Sequence, residues 1–280
     1  MRSSSLALFG SALLVAAAAS GCRIEAHTQT QFEDSTQPAK TSVMDWTGQP
    51  IKITNDGVNP LSGNGGVEVT TAANTTKITV SAVFAAHADD DKKADADATI
   101  KDALGTLVIE ESANGFNVKC GHGNAHGTSN VAGSGCKIIR VTIPAGTAAQ
   151  PLDLTVGGGN GDIKVAQSGD APFVKNLLVD NNGVGDVFVK TNTVPDATLD
   201  IRGENAVTVA LPSDFSTKAV TLTVNEDDPM KALARLHTDF PGLISGSPYP
   251  LSGATATAIA SLSIKSNGLL DDDTITITKF

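Results

Sequence analysis

Gly161-Asp162-Ile163-Lys164-Val165 comes back as Gly185-Asp186-Val187-Phe188-Val189 and, loosened, as Asn205-Ala206-Val207-Thr208-Val209. Each copy is a Gly/Asn/Asp corner followed by two aliphatic residues one position apart. Ile163 to Val187 is 24 positions and Val187 to Val207 is 20, a period on the order of 20 residues. Self-similarity at such a period is the mark of stacked β-coils.

A second series of alternating strands interleaves with the first: Leu152-Asp153-Leu154-Thr155-Val156, Leu177-Leu178-Val179, Leu199-Asp200-Ile201 and Val220-Thr221-Leu222-Thr223-Val224. Its steps are 25, 22 and 21 residues. Each repeat therefore carries two short strands separated by a Gly/Asn-rich bend. Period-two alternation sends aliphatic residues to one face and Asp, Thr and Lys to the other. One coil cannot cover its own apolar face, so coils must stack and the end coils need caps. The expectation is an all-β chain forming a β-solenoid or β-helix-like repeat of roughly 20–25 residues per coil. The alternative is an antiparallel β-sandwich with evenly spaced strands.

The N-terminus reads separately. Arg2 gives a positive start, Leu6 to Ala19 is an apolar run of 14 residues, and Ala19-Ser20-Gly21-Cys22 closes it. That is shorter than the roughly 20 apolar residues of a membrane-spanning helix, and it ends on the small residues of a secretory signal. The small residues before Cys22 resemble a bacterial lipobox, with Ala19 where Leu is commonest. The resemblance implies removal of residues 1–21, acylation of Cys22 and, with Arg23 rather than Asp next to it, an outer-membrane lipoprotein. The other reading is plain cleavage to a soluble exported protein, leaving Cys22 a stray thiol.

Removing residues 1–21 takes away Arg2 and leaves 19 Lys and Arg against 30 Asp and Glu, a net charge of −11. No run is basic, which excludes nucleic acid as a partner by the electrostatics of phosphate binding. Anionic lipid is repelled as well, so membrane attachment would rest on the acyl chains. Aromatic residues are 4% of the chain, too few to read as a stacking platform. Residues 22–48, rich in Thr, Gln, Ser and Asp, read as a flexible tether holding the fold about 25–30 Å from the acylated end. Apolar alternation starts at Ile51-Lys52-Ile53, so 49–280 is read as one β-repeat domain.

One helix is expected over about 90–104, opened by Asp89-Asp90-Asp91 and closed by Gly105, with Ala96, Ile100, Ala103, Leu104 and Leu107 on one stripe. It would lie over one end or side of the coils and cover an edge. A shorter helix is expected from Pro229, with Met230, Leu233, Ala234 and Leu236 apolar.

Cys120 and Cys136 bracket 15 residues that include His122 and His126. Phe116-Asn117-Val118 and Lys137-Ile138-Ile139-Arg140-Val141 flank them, which reads as a hairpin whose glycine-rich loop is stapled at its base. In an oxidising compartment a disulfide is the reading taken; a metal site from Cys120, His122, His126 and Cys136 fits no zinc template, and free thiols are the third option. Gly157-Gly158-Gly159-Asn160-Gly161-Asp162 departs from the calcium nonapeptide of β-rolls, since its Asp comes one position early and no copy follows at nine. The acidic clusters Asp89 to Asp91, Glu226 to Asp228 and Asp271 to Asp273 have the chemistry to bind calcium weakly, but the reading taken is solvated turns or helix starts. Asp162 and Asp186 occupy matching repeat positions, so a stacked carboxylate pair able to work on glycosides is the one catalytic candidate. Both sit in a bend beside Gly, and the next repeat has Asn205-Ala206 instead. The site reading is thus no catalytic residue, no cofactor and no metal.

Ile138 to Gly146, ending Val141-Thr142-Ile143-Pro144-Ala145-Gly146, the Gly-Asp-Val repeats at 161–165 and 185–189, Val209-Ala210-Leu211-Pro212-Ser213-Asp214-Phe215, and a strand–helix–strand passage over 78–109 resemble the adhesin-like family of bacterial envelope proteins of unknown function. The resemblance spans roughly 50–280. It implies a β-solenoid or sandwich-like stack, brings no catalytic residues, and leaves the Cys120 to Cys136 loop outside the common pattern. Together these readings describe a lipid-anchored binding or structural module with a protein or glycan partner, the other class being a β-helical enzyme on envelope or extracellular glycans.

Overall fold

The computed structural model describes residues 29–33, 42–56, 65–112, 114–123, 131–167, 169–217, 219–225, 229–246, 249, 261–266 and 274–280. Cys22, His126, Glu226 to Asp228 and Asp271 to Asp273 lie outside them. The described chain is mostly β, in two sheets of mixed direction. One sheet runs β15 (Ala219–Val224), β17 (Ser261–Ser266), β13 (Asn192–Gly203), β11 (Phe173–Asn181), β9 (Leu152–Gly158), β3 (Ile51–Asn55), β7 (Gly115–Cys120), β6 (Val108–Ser112). The other runs β1 (Gln29–Glu33), β5 (Lys77–Asp89), β8 (Val131–Pro144), β4 (Gly66–Ala72), β10 (Ile163–Val165), β12 (Val187–Lys190), β14 (Val207–Leu211), β18 (Ile275–Lys279), β16 (Leu236–Thr238), with β2 (Ser42–Asp45) also on β5.

The chain passes repeatedly from the first sheet to the second, so β9 and β10, β11 and β12, and β13 and β14 form two-strand units. Neighbouring units pair in parallel in both sheets. Ile163 pairs with Val187 and Val187 with Val207, as the first repeat series predicts. In the other sheet Leu154, Leu177 and Leu199 line up. The second series is therefore two positions off at Leu152. Leu152 itself pairs with Val174, which the bulge at Lys175 sets out of alternation with Leu177, so the sequence reads that strand as starting one inward position late. The aliphatic side chains of both series point between the sheets, where Leu154, Ile163, Leu177, Val187, Leu199 and Val207 are at most 2% exposed. Burying each contributes about 1.5–3 kcal/mol.

Unit order differs from chain order at both ends. The β17/β18 unit sits between β13/β14 and β15/β16, so Val220 lies beside Leu262 and not beside Leu199. Burial gives the reason. Leu262 and Ile264 are fully covered and need neighbours on both sides, whereas Leu222 and Val224 of β15 are only partly buried and suit an end. Likewise β3/β4 sits between β7/β8 and β9/β10.

The segment read as a tether contributes two strands, β1 and β2, both antiparallel to β5. Phe32 and Met44 pack against the core from them. A strand that brings one large apolar side chain has no period to recognise. Six residues, 23–28, separate Cys22 from β1, which span at most about 20–25 Å fully extended.

Helix α1 (Lys93–Ala103), followed by a 3₁₀ turn at Leu104–Thr106, packs on β5 and β8 with Ala96, Ile100 and Ala103 buried. It covers an end of the stack, though it starts later than the acidic triplet predicts. Asp89 ends β5, Lys92 precedes the helix without a side-chain cap, and the first-turn acid is Asp95. Helix α2 (Pro229–Ala234) forms where Pro229 predicts it, yet Met230 and Leu233 stay 73% and 62% exposed, so its apolar residues do not seal on the core.

The expected hairpin around the cysteines does not form. β7 pairs with β3 and β6, and β8 pairs with β5 and β4, so the two strands belong to different sheets. The Cys120–Cys136 disulfide, with Cα atoms 6.1 Å apart, crosses the core between the sheets. Both cysteines are fully buried.

Candidate functional site

The Gly-Asp corner of the repeat ties each unit to the next. The backbone N–H of Asp186 donates to Asp162 Oδ1 at 3.1 Å, and the Asp186 carboxylate accepts a backbone hydrogen bond from Ala206. Asp162 also meets Lys164 Nζ at 3.3 Å. The structure thus brings the two predicted carboxylates to adjacent ladder positions and occupies Asp162 on both oxygens. Partial burial and the neighbouring Asp162 charge raise the Asp186 carboxyl above the ordinary carboxylate range, against the Ala206 hydrogen bond and Lys164.

A raised folded-state value means that the folded protein holds its proton to higher pH than the unfolded chain. This contribution to stability is lost as pH rises through that window. Asp186→Asn, which keeps an acceptor for Ala206, should therefore give a small gain in urea midpoint at pH 7 that vanishes at pH 3. A gain of equal size at both pH values would refute the titration account.

Two buried asparagines, not singled out by the repeat, hold the bends from inside. Asn181 Nδ2 donates to Gly161 O at 3.1 Å and Gly185 O at 2.8 Å, and Asn55 Nδ2 donates to Gly66 O at 3.0 Å and Cys136 O at 3.1 Å. Each side chain satisfies a carbonyl of its own unit and one of its neighbour. The readable signal is a polar residue ending an aliphatic strand just before a glycine-rich corner. Asn181→Ala strips both carbonyls of a donor in a dry site and should cost about 2 kcal/mol. Asn176→Ala, on the exposed face, should stay within about 0.5 kcal/mol; equal urea midpoints for the two variants would be inconsistent with this assignment.

The outward residues expected from alternation divide between opposite faces. Asp153, Thr155, Asp200, Thr221 and Thr223 lie on the eight-stranded sheet, while Lys164 and Thr208 lie on the ten-stranded one. On the former, Asn176 donates to Asp153 at 2.6 Å and Arg202 pairs with Asp200.

The ten-stranded face carries the denser group. Arg140, Glu68, Lys164, Phe188 and Thr208 stand on neighbouring strands at paired positions. Arg140 Nε donates to Glu68 at 3.1 Å. Beside this row the side-chain-free Gly66 floors an open cleft of about 310 Å³, lined also by Asp162, Lys137, Lys164 and Gln167. Lys137 pairs with Glu33 of β1. Partial burial and Lys137 lower the titration of His87 on β5.

The metal reading of the cysteine loop fails on chemistry, because the two sulfurs are bonded to each other. Among the described residues no group of three or more His, Cys, Asp or Glu side chains is placed to hold an ion. Asp89 of the first acidic cluster is a buried strand residue and not part of a solvated turn. No described helix is long and apolar enough to cross a membrane.

No family model and no curated protein matches the chain. Among solved structures, it is similar to a protein from Clostridium sporogenes provisionally assigned to cell adhesion, at 11% identity and a TM-score of 0.46, over 90% of this chain and 100% of that one.

Proposed function

We propose that this chain is a non-catalytic binding module of the bacterial cell envelope, adhesin-like in role, built as a β-solenoid and carried on an acylated Cys22. The observation that carries the reading is the division of labour at the repeat. Its carboxylates and asparagines serve the bends between units, and the outward face offers ion pairs, hydroxyls and one aromatic in a row without a nucleophile or base aimed at a common point. Such a face recognises a partner by surface contacts. Protein and glycan are the partner classes that suit it, and its interleaved carboxylates argue against nucleic acid. Attachment to the outer membrane follows from the lipobox-like Ala19-Ser20-Gly21-Cys22 and from Arg23.

The anchor is tested by Cys22→Ser. The variant should leave the membrane fraction, and the parent's N-terminal peptide should carry lipid mass. An equally membrane-bound variant together with an unlipidated parent would remove the anchor from the reading. The module is tested by pull-down of fluorescent mature protein on envelope fragments. Retention that competes with unlabelled protein supports it, and absence of saturable retention rejects it.

The second reading is a β-helical enzyme on glycans. Its support is the adjacency of a raised Asp186 to an Asp162 paired with lysine, the division of labour that acid–base pairs use. Release of reducing ends from envelope glycans, lost in Asp162→Asn with Asp186→Asn, would establish it in place of the module.

A further inference from the structure

We propose that β1 is a releasable strap: the strand nearest Cys22 leaves the edge of β5 while β2 stays, so the tether between membrane and fold has a short docked state and a long released one. The proposal rests on the acylated-Cys22 reading and adds a moving part to it.

β1 is held by few contacts. It pairs with β5 alone, over five residues, from Gln29 opposite Asp89 to Glu33 opposite Ala85. Its apolar anchor in the core is Phe32, which is only partly buried, with Lys93 of α1 5.9 Å from the ring centroid. That lysine also pairs with Asp97 of its own helix. The ion pair of Glu33 with Lys137 leaves the two side chains 47% and 37% exposed, where water and salt screen it. Gln31 donates to Glu33 at 3.3 Å, a bond spent within the strand itself.

The next strand is fastened more firmly. Met44 packs against the core, and Trp46, directly after β2, is 6% exposed. The Trp46 backbone N–H donates to Thr76 O at 2.6 Å and its Nε1 to Gln49 O at 2.7 Å. Release therefore stops at β2. Losing β1 leaves β5 in place as well, because β5 keeps β8 on its other edge and α1 packed on it. An edge element with few apolar contacts opens locally, well below the free energy of global unfolding. Docked, residues 23–28 lie between Cys22 and the fold; released, residues 23–41 do. The added length, residues 29–41, extends the reach by at most about 45 Å.

Hydrogen exchange on the full acylated chain in detergent micelles tests the strap. Residues 29–33 should exchange at least about 100-fold faster than residues 42–46, at a rate that sub-denaturing urea barely changes, as a local opening requires. Phe32→Ala should speed residues 29–33 about tenfold further, the weight of a partly buried aromatic ring. The melting temperature and residues 42–46 should not change, and Phe32→Leu should restore most of the protection. On a supported bilayer, neutron reflectometry should place the Phe32→Ala fold farther from the membrane than the parent. The proposal is overturned if residues 29–33 and 42–46 exchange alike, if residues 29–33 open only with the urea dependence of global unfolding, or if the two proteins stand at the same height. A parent without lipid mass at Cys22 would overturn the anchor and the tether role with it, an outcome read from the N-terminal peptide and separate from whether the strand opens.

Discussion

Gly183→Ala is expected to unfold the central part of the stack. A Cβ placed on Gly183 would lie 1.4 Å from the carbonyl oxygen of Gly159 in the preceding unit, and 2.7 Å from the Asn160 Cα. No rotamer relieves this, because the obstacle is backbone on both sides. Asn182 N donates to Gly158 O across the same seam at 3.1 Å, so separating the bends breaks inter-unit hydrogen bonding as well. An extra methyl in a packed interior costs about 1–3 kcal/mol when side chains can yield. Here the loss should exceed about 3 kcal/mol, beyond that range. Gly185→Ala should behave alike, with its Cβ 2.2 Å from Gly161 C. Gly105→Ala is the control, since its Cβ would meet nothing within 4 Å and it should be neutral or slightly stabilising. Urea unfolding of the three variants decides the matter. A Gly183→Ala protein as stable as Gly105→Ala would mean that adjacent bends do not approach as described.

These glycines explain why the repeat was legible. The corner residues and the two inward aliphatic positions are imposed by neighbours that are themselves repeats, so the constraint recurs at the same spacing and shows as a pattern in one sequence. Ile163, Val187 and Val207 fall into register for that reason. The insertions at both ends were not legible. Which unit neighbours which depends on how much of each strand must be covered on two sides, as with Leu262 against Leu222, and a local alternation of apolar and polar residues carries no such information. β1 and β2 leave no pattern in the sequence because Phe32 and Met44 are single apolar anchors in polar segments. The cysteine loop reads as a hairpin because two strands flanking a loop look alike in sequence whether they pair with each other or, as here, with different sheets.

The candidate site divides in the same way. Asp162, Asp186 and Lys164 lie inside the repeat and were visible. Glu68, Arg140 and Lys137 come from β4 and β8, which meet β10 only through the insertion of β3/β4, and no spacing in the sequence brings them together. An acidic total also gives no sign of these three cations, each of which pairs with a neighbouring carboxylate. The repeat therefore supplies the framework of the face, and its distinguishing chemistry comes from strands added at one end of the stack.

Removing the disulfide is the other change expected to be severe. Cys120 ends β7 and Cys136 lies in β8, so the bond fastens the two sheets to each other close to where α1 packs. Closing a loop of 15 residues contributes about 3 kcal/mol through the unfolded chain. Cys120→Ala with Cys136→Ala should lower unfolding stability by about that amount. The loss should be uneven, because β11 to β14 are held by their own parallel neighbours, whereas β5, α1 and β6 complete the end that the bond secures. Hydrogen exchange should accordingly accelerate in residues 108–120 before it changes in residues 174–190. Thiol labelling of the unfolded, unreduced parent should find neither Cys120 nor Cys136 reactive. Two reactive thiols with one equivalent of zinc would instead restore the metal reading, and uniform acceleration across both segments would show that the bond acts on the whole stack and not on its end.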